Sequence, residues 1–94
     1  MSHVKNSDEI NDIRTNIIET VLRLYRKLNE TGCETHLTYE KYELHFVPKR
    51  GLWIDGCADK VFTKDDRYAS ISLGQEIRSY EQVPYEWLRS LLVQ

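Results

Sequence analysis

The feature that most constrains the fold is the apolar periodicity between Asn6 and Gly32. Apolar residues recur there at steps of three and four, and charged residues fall on the opposite side. Asn6-Ser7-Asp8-Glu9 is similar to a capping box, and Gly32 suits the C′ position of a helix. The pattern predicts one long amphipathic helix. Its apolar positions are Ile10, Ile13, Ile17, Val21, Leu24 and Leu28.

This helix has a wide apolar face. Ile18, Leu22 and Tyr25 extend it to about half of the circumference, more than the seam of a two-stranded coiled coil requires. We therefore expect the helix to lie across a sheet, with a homodimer through the long helix as the alternative. Arg26 and Lys27 lie near its end, where cations interact favourably with the helix dipole.

The segment from Cys33 to Val47 changes from a helical period to a period of two. Its Thr, Tyr, Leu and Phe residues favour strands, and a tight reversal at Glu40-Lys41 would place Leu37 opposite Leu44. Glu-Lys is a poor hairpin turn, so a longer loop or one bulged strand is the alternative.

Further strands are predicted after the break at residues 48–51. Asp55-Gly56 is the strongest hairpin signal in the chain and predicts a return strand from Cys57 to Thr63. After a polar turn at residues 64–67, alternation predicts a strand from Tyr68 to Leu73. The segment from Gln75 to Val83 has a mixed pattern and receives no assignment.

The chain ends on a second helical pattern. Pro84 suits the first helical position, and the apolar spacing after it predicts a short helix from Tyr85 to Val93. The elements together predict an α+β fold. It is a two-layer sandwich in which the long N-terminal helix packs on an antiparallel sheet of about four strands, with a short C-terminal helix.

Length and charge narrow the class of protein. Ninety-four residues predict a single domain over residues 1–94, with residues 1–5 disordered. The formal charge of −2 lacks the basic excess of an autonomous duplex-DNA binder. We read no membrane span and no signal peptide, which predicts a cytoplasmic protein. In that reducing compartment Cys33 and Cys57 are expected to remain thiols.

Function is predicted largely from the kinds of residue present. The sequence has no nucleophile elbow, zinc-protease motif, P-loop or dinucleotide fingerprint, so we expect neither catalysis nor a cofactor. Six Tyr and two Trp are typical of binding surfaces. We therefore predict a small regulatory or accessory protein that binds another protein, as an inhibitor, antitoxin-like partner or adaptor. The candidate contact residues are Trp53, Tyr80, Tyr85, Trp87, Lys49 and Arg50.

Two alternatives follow from other residues. Basic loops between Lys49 and Arg67, with Trp53, Phe62 and Tyr68 among them, could bind nucleic acid, although four aspartates in the same region oppose phosphate. The tight reversal would also place His36 opposite His45, with Glu34 and Glu43 near them, a set of two imidazoles and two carboxylates that could bind a transition metal. The same histidines also fit a solvated sheet face without any metal.

Overall fold

The computed structural model describes residues 7–57, 61–64, 70–71 and 83–93, with side chains from residue 12 onward except in 70–71. These residues form two helices and one antiparallel sheet, which confirms the predicted α+β fold. The sheet has five described strands, of which the fifth is only two residues long. The elements are α1 (Ser7–Thr31), β1 (Thr35–Tyr39), β2 (Tyr42–Val47), β3 (Gly51–Asp55), β4 (Val61–Thr63), β5 (Ser70–Ile71) and α2 (Tyr85–Leu92).

Helix α1 ends as its sequence predicts. Gly32 has φ 67, and its N–H donates to the carbonyl oxygens of Leu28 at 3.3 Å and Asn29 at 3.2 Å. A left-handed residue in this position satisfies carbonyls that the helix leaves unpaired. The Thr31 hydroxyl also donates to the Leu28 carbonyl, at 2.6 Å. Of the predicted capping box, Asn6 lies outside the described residues.

Lys27 stabilises a different helix end from the one expected. The last turn of α1 contains no basic residue, whereas the Lys27 ammonium donates to the carbonyls of Leu91 at 2.8 Å and Leu92 at 3.4 Å. The expectation that Lys27 interacts with its own helix terminus is therefore wrong. The side chain reaches the C-terminus of α2 because α2 packs alongside α1.

The sheet is a meander in which each strand pairs with the next along the chain. The β1–β2 register confirms the reversal at Glu40-Lys41, since Tyr39 pairs with Tyr42 and Leu37 with Leu44. Glu40 has φ 54, a positive value at the first turn position that is typical of a II′ hairpin. The strong twist preference of a two-residue hairpin thus overrides the poor turn chemistry of Glu-Lys.

A second tight turn joins β2 to β3. The Arg50 N–H donates to the Val47 carbonyl at 2.9 Å, Pro48 occupies the first central position, and Lys49 has φ 70. This arrangement is that of a type II turn, whose second central residue is usually glycine. The turn sets the register in which Val47 pairs with Gly51 and His45 with Trp53.

The prediction of a two-residue hairpin at Asp55-Gly56 is wrong. Ile54 pairs with Val61, so the five residues 56–60 connect β3 to β4 and the described return strand begins at Val61 rather than at Cys57. Gly56 instead packs against the β1–β2 turn: with φ 98, a Cβ at this position would lie 2.5 Å from the Lys41 carbonyl oxygen. Glycine is required at this position because the two backbones approach closely, and not because of a two-residue turn.

The core lies between one face of the sheet and the two helices. The ring of Tyr25 on α1 meets Phe46 on β2 edge to face, with centroids 6.0 Å apart, and Trp87 on α2 stacks on Tyr39 of β1 at 5.2 Å. The sheet and α2 together therefore occupy much of the wide α1 face within a single chain. The buried apolar residues are Ile17, Val21, Leu24, Leu44, Phe46, Leu52, Ile54, Val61, Val83 and Leu88.

The C-terminal helix begins at Tyr85 as predicted and ends at Leu92, one residue before the predicted end, but Pro84 does not occupy the first helical position. Pro84 is the residue before the helix, with φ −77 and ψ 66, and the Tyr85 N–H donates to the Val83 carbonyl at 2.8 Å. These values describe an inverse γ-turn. Only Ser70–Ile71 of the predicted strand from Tyr68 to Leu73 is described, and it is a strand. The expectations for residues 1–5 and 65–67 and for Tyr80 lie outside the described residues.

Candidate binding surface on the open sheet face

The candidate site is the sheet face that points away from the two described helices, here called the open face. Side chains alternate along a strand, so the residues between buried Leu44, Phe46, Leu52 and Ile54 point to this side. The strand registers align them in one row across four strands. That row is His36, His45, Trp53 and Phe62.

The aromatic rings of this row stand side by side. The imidazoles of His36 and His45 are 4.4 Å apart between centroids with 12° between their planes, and His45 lies 5.4 Å from the Trp53 ring at 16°. His45 is on the middle strand of the three, so each of its faces is turned toward a neighbouring ring. His45 therefore presents its ring edge outward rather than a ring face.

Two carboxylates flank the histidines at one end of the open face. His45 Nε2 lies 3.6 Å from Glu43 Oε2 and 3.4 Å from Asp55 Oδ2, and His36 Nε2 lies 4.0 Å from Glu43 Oε1. Glu43 pairs directly with Asp55 across β2 and β3, which explains their proximity. This acidic end of the open face lies beside the β1–β2 turn.

The opposite end of the open face is basic. Lys49 and Arg50 are exposed on the β2–β3 turn, and Lys64 follows the last residue of β4 at the same end. A Cβ on Gly51 would lie 3.1 Å from the Lys64 Cα, so the two backbones meet there. The open face thus has an aromatic row at its centre, an acidic end beside the β1–β2 turn and a basic end beside the β2–β3 turn.

The structure separates the five predicted contact residues that it describes. Trp53 lies on the open face with Lys49 and Arg50 at its basic end, whereas Tyr85 and Trp87 belong to α2 and pack toward the core. Tyr80 lies outside the described residues. The first three residues can contribute to one surface, and the two on α2 lie on the other side of the sheet.

Tyr85 lines a groove of about 460 Å³ between α1 and α2. The Arg89 guanidinium lies 5.6 Å from the centre of its ring, and Arg23 lines the same groove from α1. This groove is polar and basic in part. It shares no lining residue with the open face.

The sequence predicts that His36 and His45 lie near Glu43 and Glu34; the structure brings Glu43 to both histidines, whereas Glu34 is not part of the cluster. The sequence does not predict the position of Asp55 or the stacking of Trp53. Both belong to β3, whose register depends on the type II turn at Pro48-Lys49. A type II turn is recognised in a sequence by glycine or asparagine after the proline. Lysine stands at that position here, so the sequence does not identify the turn.

Cys33 and Cys57 are not joined in a disulfide. Cys33 is exposed after α1, where its thiol lies 3.5 Å from the Thr31 carbonyl oxygen. Cys57 is half-buried and packs against the core.

A comparison with protein-family models, curated proteins and solved structures found no match. In the part of the chain that the structure describes, neither helix combines the length and the apolar character that crossing a membrane requires.

Proposed function

We propose that this protein is a small regulatory or accessory protein that acts by binding another protein through the open face. The observation that carries the proposal is the row of His36, His45, Trp53 and Phe62, which stands on the sheet opposite both described helices. Half-buried aromatic rings on a rigid sheet bring a large contact area at small entropic cost. Trp53 is the central anchor of this surface.

The charges of the open face favour a protein over a nucleic acid. Glu43 and Asp55 lie within 4 Å of the histidine nitrogens, so a phosphate backbone that followed the row would approach two carboxylates. A protein partner can present charges of both signs, with cations toward this end and acids toward Lys49 and Arg50.

The ring geometry supports the same choice. Single-stranded nucleic acids stack their bases on the faces of aromatic side chains. The faces of His45 are turned toward the rings of His36 and Trp53. Edges of rings suit hydrogen bonds and side-chain packing from a protein better than they suit stacked bases.

The proposed action is steric: the open face covers a surface of the partner, as an inhibitor, antitoxin-like protein or adaptor would, and no reaction is catalysed. We assign the protein to the cytoplasm, where the exposed thiol of Cys33 is compatible with reducing conditions.

Binding measurements on matched variants test the proposal. The tagged chain captures its partner from native lysate in the presence of nuclease and at low and high salt, and the partner is then purified. We expect Trp53→Ala to weaken the binary complex by about 30-fold or more, which corresponds to about 2 kcal/mol. Calorimetry on the purified pair measures this change.

Two exposed arginines provide the control. Arg50 lies at the basic end of the open face and Arg89 on α2, so Arg50→Glu should weaken binding while Arg89→Glu leaves it unchanged. Equal effects of both substitutions, or a partner lost entirely on nuclease treatment, would contradict the proposal. The second result would instead indicate a nucleic-acid-associated protein.

A further inference from the structure

The acidic end of the open face has the donor set of a transition-metal site. We propose that His36, Glu43 and His45 bind a divalent first-row ion such as zinc or copper, with Asp55 beside them. The ligand atoms of His36, Glu43 and His45 all lie within 4.8 Å of one another. This inference goes beyond the proposed protein binding and does not depend on it.

The distances are close to those that a tetrahedral ion requires. Bonds of about 2.0–2.1 Å to nitrogen or oxygen place two ligand atoms about 3.4 Å apart. His45 Nε2 is 3.6 Å from Glu43 Oε2 and 3.4 Å from Asp55 Oδ2, while His36 Nε2 is 4.0 Å from Glu43 Oε1. The ligand atoms of the three residues lie within 4.8 Å of one another, so the His36 ring has to move and rotate before it can share an ion with Glu43 and His45.

The His36 ring has the freedom to make that movement. A ring nitrogen binds a metal in the plane of its own ring, so two imidazoles only 12° from parallel must rotate apart to share one ion. The side chain of His36 is 54% exposed, and the torsion that turns an imidazole is soft. His45, at 26% exposure, is the more fixed ligand.

The charges select the class of ion. Two neutral imidazoles with the Glu43 and Asp55 carboxylates neutralise a divalent cation. Imidazole favours zinc, copper and nickel over magnesium and calcium, which prefer oxygen ligands alone. Because the ligands come from β1 and β2, with Asp55 of β3 beside them, a bound ion would cross-link the first hairpin and raise the stability of the sheet.

Titration of the untagged, metal-free full chain with zinc chloride tests the site. We expect one ion per chain by calorimetry and a higher unfolding temperature. His36→Gln and His45→Gln should each weaken zinc binding by at least about 100-fold, since even residues behind the ligands are worth 10- to 100-fold. His3→Gln and Cys57→Ser are the controls and should leave the affinity unchanged.

Tryptophan fluorescence locates the ion independently. The chain has two tryptophans, and Trp87→Phe leaves only Trp53, whose ring lies 5.4 Å from that of His45. Stoichiometric copper should quench this emission, and His45→Gln should abolish the quenching. The complementary Trp53→Phe variant reports from the helix side of the sheet and should change little.

Either of two results would overturn the site: no saturable zinc or copper binding, or binding that survives His36→Gln and His45→Gln but is lost in His3→Gln or Cys57→Ser. Circular dichroism shows whether each variant is folded. No partner protein is present in these measurements, so their failure would leave the proposed protein binding untouched.

Discussion

Two residues with positive φ hold the turns at either end of β2. Glu40 has φ 54 and Lys49 has φ 70, in positions where II′ and type II turns usually have glycine. A left-handed conformation costs a residue with a Cβ about 1–2 kcal/mol. Among the described residues other than glycine, these two are therefore the points at which a left-handed backbone conflicts with the local sequence.

Relief of this strain gives the first prediction. Glu40→Gly should stabilise the domain by about 0.5–1 kcal/mol, since glycine adopts positive φ without the steric cost but loses more entropy on folding. Urea unfolding followed by tryptophan fluorescence measures the change. Lys41→Gly, at the next position of the same turn, is the control and should not stabilise; a gain there equal to that of Glu40→Gly would show that strain is not the cause.

A second prediction concerns Gly51. An alanine Cβ there would lie 2.5 Å from the Thr63 carbonyl oxygen, at a φ of 134, so Gly51→Ala should cost at least about 2 kcal/mol. Gly32→Ala is the matched control, because φ is also positive there but no atom lies within 4 Å of the added Cβ. It should cost only about 1 kcal/mol. If urea unfolding showed that the two variants lose the same free energy of unfolding, the close approach of Gly51 to Thr63 would not be the cause.

At the scale of elements, Lys27 links the two helices. Its ammonium bonds to the carbonyls of Leu91 and Leu92, where the negative end of the α2 dipole attracts a cation. Lys27→Met should therefore lower the free energy of unfolding by about 1–2 kcal/mol. Arg23→Met, at an exposed position one turn earlier in α1, should change it by less than about 0.5 kcal/mol. A loss no larger than that of Arg23→Met would show that the cap contributes nothing.

The two tryptophans should differ in their effect on stability. Trp87 packs between the core and Tyr39, so Trp87→Ala should destabilise the domain by at least about 2 kcal/mol. Trp53 lies on the open face, where loss of cross-strand stacking is worth about 1 kcal/mol. Thermal unfolding of Trp87→Ala and Trp53→Ala measures both losses of stability. A larger loss for Trp53→Ala would contradict the assignment of the two residues to opposite faces of the sheet.

The elements show why part of the fold follows from the sequence. Helix α1 and the pairing of Leu37 with Leu44 follow from periodicity, because burying one face admits a single register. The β3–β4 connection does not follow, since Asp55-Gly56 has hairpin chemistry but its glycine is required by contact with the Lys41 carbonyl. A contact between residues far apart in sequence leaves no local signal.

At the scale of the whole molecule, the candidate site depends on which side of the sheet each residue faces. The sequence alone does not distinguish Trp53 from Trp87. In the structure, Trp53 lies on the open face because it is in β3, whereas Trp87 of α2 packs on the core side. The cluster of His36, His45 and Glu43 could be predicted because it needs only the first hairpin. Asp55 and Trp53 required a second register, so the full surface emerges only from the assembled sheet.

The most direct test of this account is a photo-crosslinking experiment in living cells. A photoreactive phenylalanine analogue replaces Arg50, at the basic end of the open face, or Arg89, on α2. Both positions are exposed, so neither substitution disturbs the core. We expect a discrete protein adduct from position 50 and none from position 89. Adducts from position 89 alone, or adducts to nucleic acid from position 50, would contradict the claim that the open face binds a protein.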